Sequence, residues 1–178
     1  MVQKIPDNLY KKILRNMPIC CVDIVIQDEK GILLVYRKNE PVKNTWWLPG
    51  GRIYKDEKIE DAVLRKAFEE TGLKVQIKNK IGVYETIFDD NPFMENSVDC
   101  VAVHSNSPDR EFEKKSNQIL CNDSSFGVHT INICFLVEAS SHEVKLDNQS
   151  SDFKWINKIE NTLPEYVKNV ISDSKVFN

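Results

Sequence analysis

At 178 residues the chain has the length of one domain, and at 20.6 kDa it can bury a core large enough to dispense with disulfides or a structural metal. Lys and Arg total 24 against 27 Asp and Glu, a net charge of −3, which excludes a generally basic nucleic-acid surface but leaves room for a local phosphate site built on two or three arginines. The apolar run Ile32 to Tyr36 is far short of a membrane span, and Met1 to Asp7 has no apolar stretch of the kind a secretory signal needs.

Residues 7–17 predict a short helix. Leu9, Ile13 and Met17 recur every four residues, Asp7 is placed to cap it after Pro6, and Pro18 ends it. Two β-branched, apolar runs, 20–27 and 32–37, flank Asp28-Glu29-Lys30-Gly31 and predict a hairpin. A polar loop, 38–45, leads to Trp46-Trp47-Leu48-Pro49-Gly50-Gly51. From Asp56 the period changes to 3.6: Ile59, Ala62, Val63, Lys66, Ala67 and Glu70 share one broad face, and Gly72 supplies the stop. This helix is expected to run about 15 residues, or ~22 Å.

Residues 75–77 and 81–88 predict strands, and Asp89-Asp90-Asn91-Pro92 a turn. A long strand is expected over 129–138, with shorter ones at 143–146 and 153–156. A last helix is expected over 163–171, with Pro164 in its first turn. Residues 97–127 break this rhythm. Their polar middle, 105–125, reads as an insertion, a lid or a disordered segment, the first of these mobile or partly ordered and without chemistry of its own. The cysteines, at 20, 21, 100, 121 and 134, include no CxxC spacing and read as small buried hydrophobes in a reducing cytoplasm. Cys20 and Cys21, adjacent on a strand, face opposite sides and so do not share a ligand site.

The chemistry concentrates around Gly50-Gly51 and the helix after it, where Glu57, Arg65, Glu69 and Glu70 lie. Two adjacent carboxylates beside glycine carbonyls suit a hard divalent cation such as magnesium, which shares oxygen ligands with phosphates. Arg65 stands four residues before Glu69 and can pair with it. As an isolated pair, Glu69 and Glu70 read as a solvated helix face before a metal site. The joint spacing decides between the two. Gly51, five residues, Glu57, seven residues, Arg65, then Ala67, Glu69, Glu70, Gly72 and Leu73 match the pattern G-x5-E-x7-R-E-U-x-E-E-x-G-U at every fixed position but one, where Lys66 replaces Glu.

In this pattern the chain resembles the Nudix hydrolases. The resemblance implies an α/β (α+β) fold, a mixed β-sheet sandwiched between helices with the box as loop–helix–loop, in a single domain spanning 1–178. It also implies hydrolysis of nucleoside diphosphates linked to another group. Within that superfamily the chain is most similar to the GDP-mannose mannosyl hydrolases, which also lack the Glu at position 66. The features shared with them run through most of the chain outside 97–127: a helix ending at Pro18, Asp23, Arg37, Trp47 to Arg52, Lys55-Asp56-Glu57, Phe88 to Asn91, Leu146 to Gln149, and Asp152 to Trp155.

That resemblance implies attack at sugar C1, with a nucleoside diphosphate leaving from one magnesium ion (manganese is the alternative). The implied metal ligands are Gly50 through its carbonyl, Glu69, Glu70 and Gln149. Arg37 and Arg52 would neutralise the leaving diphosphate, Asp23 would contact the sugar or the nucleotide, and Arg65 completes the catalytic set. The implied partner is a small nucleotide sugar in the cytoplasm, with no membrane and no nucleic acid, and a homodimer is compatible. Read without the resemblance, Asp23 suits a pairing with a core backbone group, Arg37 a strand end, Gln149 a turn, and Trp46 and Trp47 core packing.

Departures from the subgroup shape the alternatives. The subgroup's basic His after the ligand Gln is Ser150 here, and a second family His is Thr86. A serine is no base at neutral pH unless another group activates it. Of the three histidines, His104, His129 and His142, the last is a candidate replacement base, as are Asp89 and Asp90. Glu69 restores the Glu-Glu pair of ordinary Nudix enzymes. A lysine ammonium ~4 Å from a divalent ion would be repelled by about 8 kcal/mol at an effective dielectric near 20, so Lys66 is expected to swing away or to contact phosphate. The competing functions are a pyrophosphohydrolase that attacks phosphorus with Glu69 and Glu70 on metal, and a Nudix-like binding module whose chemistry is lost.

Overall fold

A computed structural model describes residues 5–88, 127–141 and 143–177. Its elements, in chain order, are α1 (Asp7–Asn16), β1 (Ile19–Asp28), β2 (Gly31–Arg37), β3 (Trp46–Trp47), β4 (Gly50–Arg52), α2 (Ile59–Thr71), β5 (Val75–Phe88), β6 (Val128–Ala139), β7 (Ser150–Ile156) and α3 (Glu165–Ser174). The strands form one mixed sheet in the order β3-β2-β1-β6-β5, with β4 paired to β1 and β7 to β2. β1 and β6 run parallel at its centre, from Ile19 opposite Thr130 to Gln27 opposite Glu138.

The β1–β2 hairpin determines where a cleft can open. Its turn is an Asx turn in which the Lys30 N–H donates to Asp28 Oδ1 at 2.7 Å. The two strands pair only beside it, Gln27 with Ile32 and Asp28 with Gly31. Farther out they splay. Cys21 to Asp23 pair instead with Arg52 to Gly50, and Val35 and Tyr36 with Trp47 and Trp46. The 46–52 segment therefore lies between the splayed strands.

Strand alternation divides the core into two. Val22, Ile24 and Ile26 pack with Leu33 against Ala62, Val63 and Ala67 of α2. Val25, Ile32 and Leu34 pack on the other face with Tyr166, Val167, Val170 and Ile171 of α3. Asp23 shares the α3 side with Val25, so its carboxylate points toward a helix 143 residues away in sequence. Among the described residues, no helix is long and apolar enough to cross a membrane.

The structure corrects several sequence expectations. Pro6, not Asp7, stands at the N-cap of α1, and no side chain caps that helix. α2 begins at Ile59, because Asp56 has φ 66° and keeps the preceding residues out of the helix. Gly72 ends α2 in the left-handed region at φ 69°, its N–H bonded to Phe68, as its position predicts. The two strands expected at 75–77 and 81–88 are one strand, paired with β6 from Val75 to Phe88 with register shifts between Ile77 and Asn79 and between Lys80 and Gly82. Residues 143–146 are not a strand. The Lys145 N–H donates to the Thr71 carbonyl at the end of α2 (2.8 Å) and so leaves no ladder to form.

Cys20 is exposed while Cys21 and Cys134 are buried, and all three are free thiols. The insertion, Gly127 apart, lies outside the described residues, as do Asp89, Asp90, His104 and His142.

Candidate active site

The splayed strands, the Gly50-Gly51 turn, α2 and the ends of β5 and β6 enclose a cavity of about 390 Å³. Asp23, Arg37, Gly50, Arg52, Arg65, Glu69, Glu70 and Gln149, the eight residues singled out from the sequence, all line it. So do Lys66, Trp47, Tyr10, Thr86, Thr130 and Asn132.

One wall is an arginine clamp. Arg65 donates from Nε to Glu57 Oε1 at 2.6 Å and from Nη2 to Glu57 Oε2 at 2.7 Å, a bidentate pair. It also reaches Glu69 Oε2 at 3.0 Å and the Arg52 carbonyl at 3.0 Å, and its guanidinium stacks 3.9 Å from the Tyr54 ring. The Glu57 carboxyl is held below its ordinary range by the hydrogen bonds from Arg65. Every nitrogen of Arg65 is thus engaged with protein, so its geometry is that of a brace between α2 and the 52–57 turn. Arg65→Lys is expected to lower stability by about 1–3 kcal/mol, since an ammonium cannot reproduce the fork. Urea melts read this directly, and an unchanged midpoint would contradict the brace.

The second wall holds the charges. Glu70 is buried at 6% exposure. Its Oε2 accepts the Gly50 N–H at 3.0 Å, and its Oε1 lies 2.6 Å from Lys66 Nζ. Burial pushes the Glu70 carboxyl up, and the Lys66 charge opposes the rise. Lys66 Nζ is also 3.5 Å from Glu69 Oε2. Gly51 makes room for this lysine: with φ 148°, a Cβ there would lie 2.8 Å from Lys66 Cε. Lys66 therefore lies between the carboxylates and the glycine turn.

Opposite, Tyr166 of α3 donates to Asp23 Oδ2 at 2.5 Å. Because that bond uses the phenol proton, the Cys134 thiol is the donor in its 3.5 Å contact with the Tyr166 oxygen. Trp47 stacks on the Tyr166 ring, 5.1 Å between centroids and 8° between planes. Burial raises the Asp23 carboxyl to about 6; the Tyr166 bond and the charge of Arg37 oppose the rise, and Glu70 adds to it. At neutral pH Asp23 is thus mostly an acceptor. Asp23 bonds the side chain of Tyr166 rather than the core backbone group expected without the resemblance, and it lines the cavity as well.

Arg37 ends β2, its Nε donating to the Pro41 carbonyl at 3.2 Å. The Lys38 N–H next to it donates to the Gln149 carbonyl at 2.9 Å, which ties the 147–149 turn to the cavity rim. Gln149 Nε2 donates to Asp147 Oδ2 at 2.8 Å. The Arg52 guanidinium stacks 4.4 Å from the Tyr10 ring, which brings α1 to the same cavity.

Several functional-looking residues land elsewhere. Ser150 is buried and is not part of the cavity wall. His129 pairs with Glu85 at 2.6 Å; its neighbours Val128 and Thr130 line the cavity, so strand alternation turns the imidazole away. Thr86, the other lost histidine position, forms a neutral cluster with Thr130 (2.5 Å) and Asn132 (3.3 Å). Trp46 packs edge-on to Tyr36 under Lys154. Sequence reasoning missed Thr130, Asn132, Tyr10 and Tyr166. The first two alternate along β6 and were within reach of a period-2 reading, whereas nothing local marks Tyr166 as Asp23's partner.

Comparison with known proteins bears on this arrangement. The Low-salt glycan biosynthesis protein Agl8 of Haloferax volcanii is 42% identical over 86 residues, covering 48% of this chain and 55% of that protein. An ADP-ribose pyrophosphatase of Methanocaldococcus jannaschii is 42% identical over 79 residues, covering 44% and 47%. These matches span about half the length of the curated relatives. Among solved structures, the MutT protein of Methanosarcina mazei superposes with a TM-score of 0.58 at 22% identity, over 88% of this chain and 93% of that one, a likeness of fold. The NUDIX domain family model matches residues 17–170, most of the chain and every wall of the cavity but Tyr10, and on that extent the chain belongs to the NUDIX family.

Proposed function

We propose that the chain is a hydrolase of a nucleotide sugar of the GDP-mannose type, releasing free sugar and a nucleoside diphosphate. One observation carries the reading: Arg37 and Arg52 share a cavity with Asp23, Gln149 and a Glu69–Glu70 pair whose negative charge Lys66 already partly cancels. Such a site has cations for a diphosphate and a buried acceptor for a hydroxyl. It is poorly charged for the cluster of metal ions that attack at phosphorus invites. The likeness to a glycan biosynthesis protein supports a sugar-linked substrate.

The chemistry of the donors fits a hard divalent cation. They are all oxygens, and the Lys66 ammonium shows that Glu70 and Glu69 hold positive charge at this spot. Gly50 through its carbonyl, Glu69, Glu70 and Gln149 are the residues that would hold it; magnesium is our choice, with manganese the alternative. When bound, it neutralises charge on the diphosphate.

The chain's own residues do the rest. Arg37 and Arg52 bind the diphosphate oxygens and stabilise the charge that grows on them. Asp23, braced by Tyr166, accepts a hydrogen bond from a sugar or nucleoside hydroxyl. Water adds to C1, the C1–O bond breaks, its electron pair leaves with the nucleoside diphosphate, and the water proton passes to solvent. The transition state is oxocarbenium-like, so loss of the subgroup's His slows the reaction by ~10²–10⁴-fold without abolishing it. We place the activity in the cytoplasm, whose reducing poise suits the free thiols of Cys20, Cys21 and Cys134.

Hydrolysis of GDP-mannose in ¹⁸O-water tests the bond assignment. Label in the free sugar is the expected result, and label in a phosphate product overturns it. The second outcome would favour a pyrophosphohydrolase, the reading supported by the Glu69–Glu70 pair and by the relative named as an ADP-ribose pyrophosphatase.

A further inference from the structure

We propose that Lys66 is an internal counter-cation that competes with the divalent ion for Glu69 and Glu70 and restricts this carboxylate pair to one ion, held weakly. The inference rests on the reading that these carboxylates bind the metal, and it adds what sets affinity and number. Three observations carry it. First, Lys66 Nζ lies 2.6 Å from Glu70 Oε1 and 3.5 Å from Glu69 Oε2, so a single ammonium touches both carboxylates. Second, each carboxylate already spends part of its acceptor capacity on other protein donors. Glu70 Oε2 takes the Gly50 N–H at 3.0 Å, and Glu69 Oε2 takes Arg65 at 3.0 Å. Third, the ammonium has a built seat. Lys66 is 8% exposed, and its stem runs along Gly51, where a Cβ would stand 2.8 Å from Cε and 3.2 Å from Nζ.

A divalent ion approaching Glu70 Oε1 must displace Nζ. The two positive charges cannot both stay at hydrogen-bond distance from one oxygen, because like charges at that spacing repel strongly in a half-buried site. A second ion would then need both carboxylates at once while Lys66 and Arg65 still claim Glu69. Other charges facing the spot are Arg37 and Asp23 across the cavity, of opposite sign. Lys66 is the cation in direct contact with both carboxylates. In this role it is a specificity-determining residue for the metal, not a ligand.

Titration of the full chain with manganese(II), followed by loss of the free-ion electron paramagnetic resonance signal, tests this without substrate. We expect wild type to bind one ion, Lys66→Gln to bind one ion at least tenfold more tightly, and Lys66→Glu to bind two. Lys66→Gln keeps the stem in its seat and carries the test even if the three clustered carboxylates of Lys66→Glu prevent folding. A thermal melt gives a second readout: manganese should raise the midpoint of Lys66→Gln more than that of wild type. Glu70→Gln separates the two claims. If it abolishes binding while wild type and Lys66→Gln titrate alike, the role of Lys66 is overturned and the metal reading stands. If wild type and both Lys66 variants bind no manganese, the metal reading fails and the inference with it.

Discussion

Glu70→Gln should lose at least about 10³-fold in turnover, because the variant gives up the carboxylate charge that we propose holds the metal, and such charge stabilisation is worth several kcal/mol of barrier. It should also unfold more easily. The carboxylate is buried and accepts from both Lys66 Nζ at 2.6 Å and the Gly50 N–H at 3.0 Å. An amide keeps its oxygen for one of these but leaves the ammonium without its main counter-charge. Removing one partner of a buried pair costs about 3–5 kcal/mol. Glu69 still stands 3.5 Å from Nζ, so roughly 2–3 kcal/mol is expected, within the stability of an ordinary domain. The double variant Lys66→Gln/Glu70→Gln removes the orphaned ammonium. It should regain most of the stability and none of the turnover. Urea melts and rate assays on the three proteins separate the effects; a Glu70→Gln protein with normal turnover at saturating magnesium would remove Glu70 from the metal site.

Asp23→Asn should be more stable than wild type at neutral pH and much less active. The Asp23 carboxyl rises from 3.8 to about 6 on folding, chiefly because burial disfavours its charge. The folded chain therefore binds this proton more tightly than the unfolded chain. Stability from this group is fully present at pH below 3.8, falls as pH rises from 3.8 to about 6, and stays low above that. The loss reaches roughly 3 kcal/mol, at ~1.4 kcal/mol for each tenfold displacement of the proton equilibrium. An asparagine carries no such penalty, and its oxygen still accepts from Tyr166. The stability difference between Asp23→Asn and wild type should thus grow from pH 4 to pH 6.5 and then level off, while turnover falls ~10–100-fold through loss of a charged acceptor. A difference that is flat with pH would show that Asp23 is not the buried charge described.

Such a trade of stability for a buried acceptor also explains what the sequence could and could not reveal. Glu57, Arg65, Glu69 and Glu70 are legible because one helix and its entry turn hold them at fixed spacing; the structure joins the first three in the Arg65 clamp and pairs Glu70 with Lys66 and the Gly50 N–H. Arg37 is legible at the end of the second apolar run and Arg52 by its place beside the glycine turn, each given its role by the resemblance. Tyr166 is not, because it meets Asp23 only when α3 folds across the sheet. The short strands Trp46–Trp47 and Gly50–Arg52 carry too few residues to show a period. Residues 143–146 look like a strand by composition, yet their backbone is claimed by the end of α2. Lys66 stands out in sequence as a misplaced charge, but its seat beside Gly51 is a matter of three dimensions.

The stacking of Trp47 on Tyr166 gives the cavity its own optical reporter. Of the chain's three tryptophans, Trp47 lines the cavity, Trp46 is covered by Tyr36 and Lys154, and Trp155 packs on the α2 side of the sheet. The Tyr166 ring, 5.1 Å away, is itself bonded to Asp23. A ligand entering the cavity, or a proton arriving on Asp23, alters the polarity and field at the Trp47 indole. Replacing Trp46 and Trp155 by phenylalanine leaves a single tryptophan, which excitation at the red edge of its absorption selects over the tyrosines. Its colour and lifetime then follow occupancy of the site in real time, with no label added to the substrate.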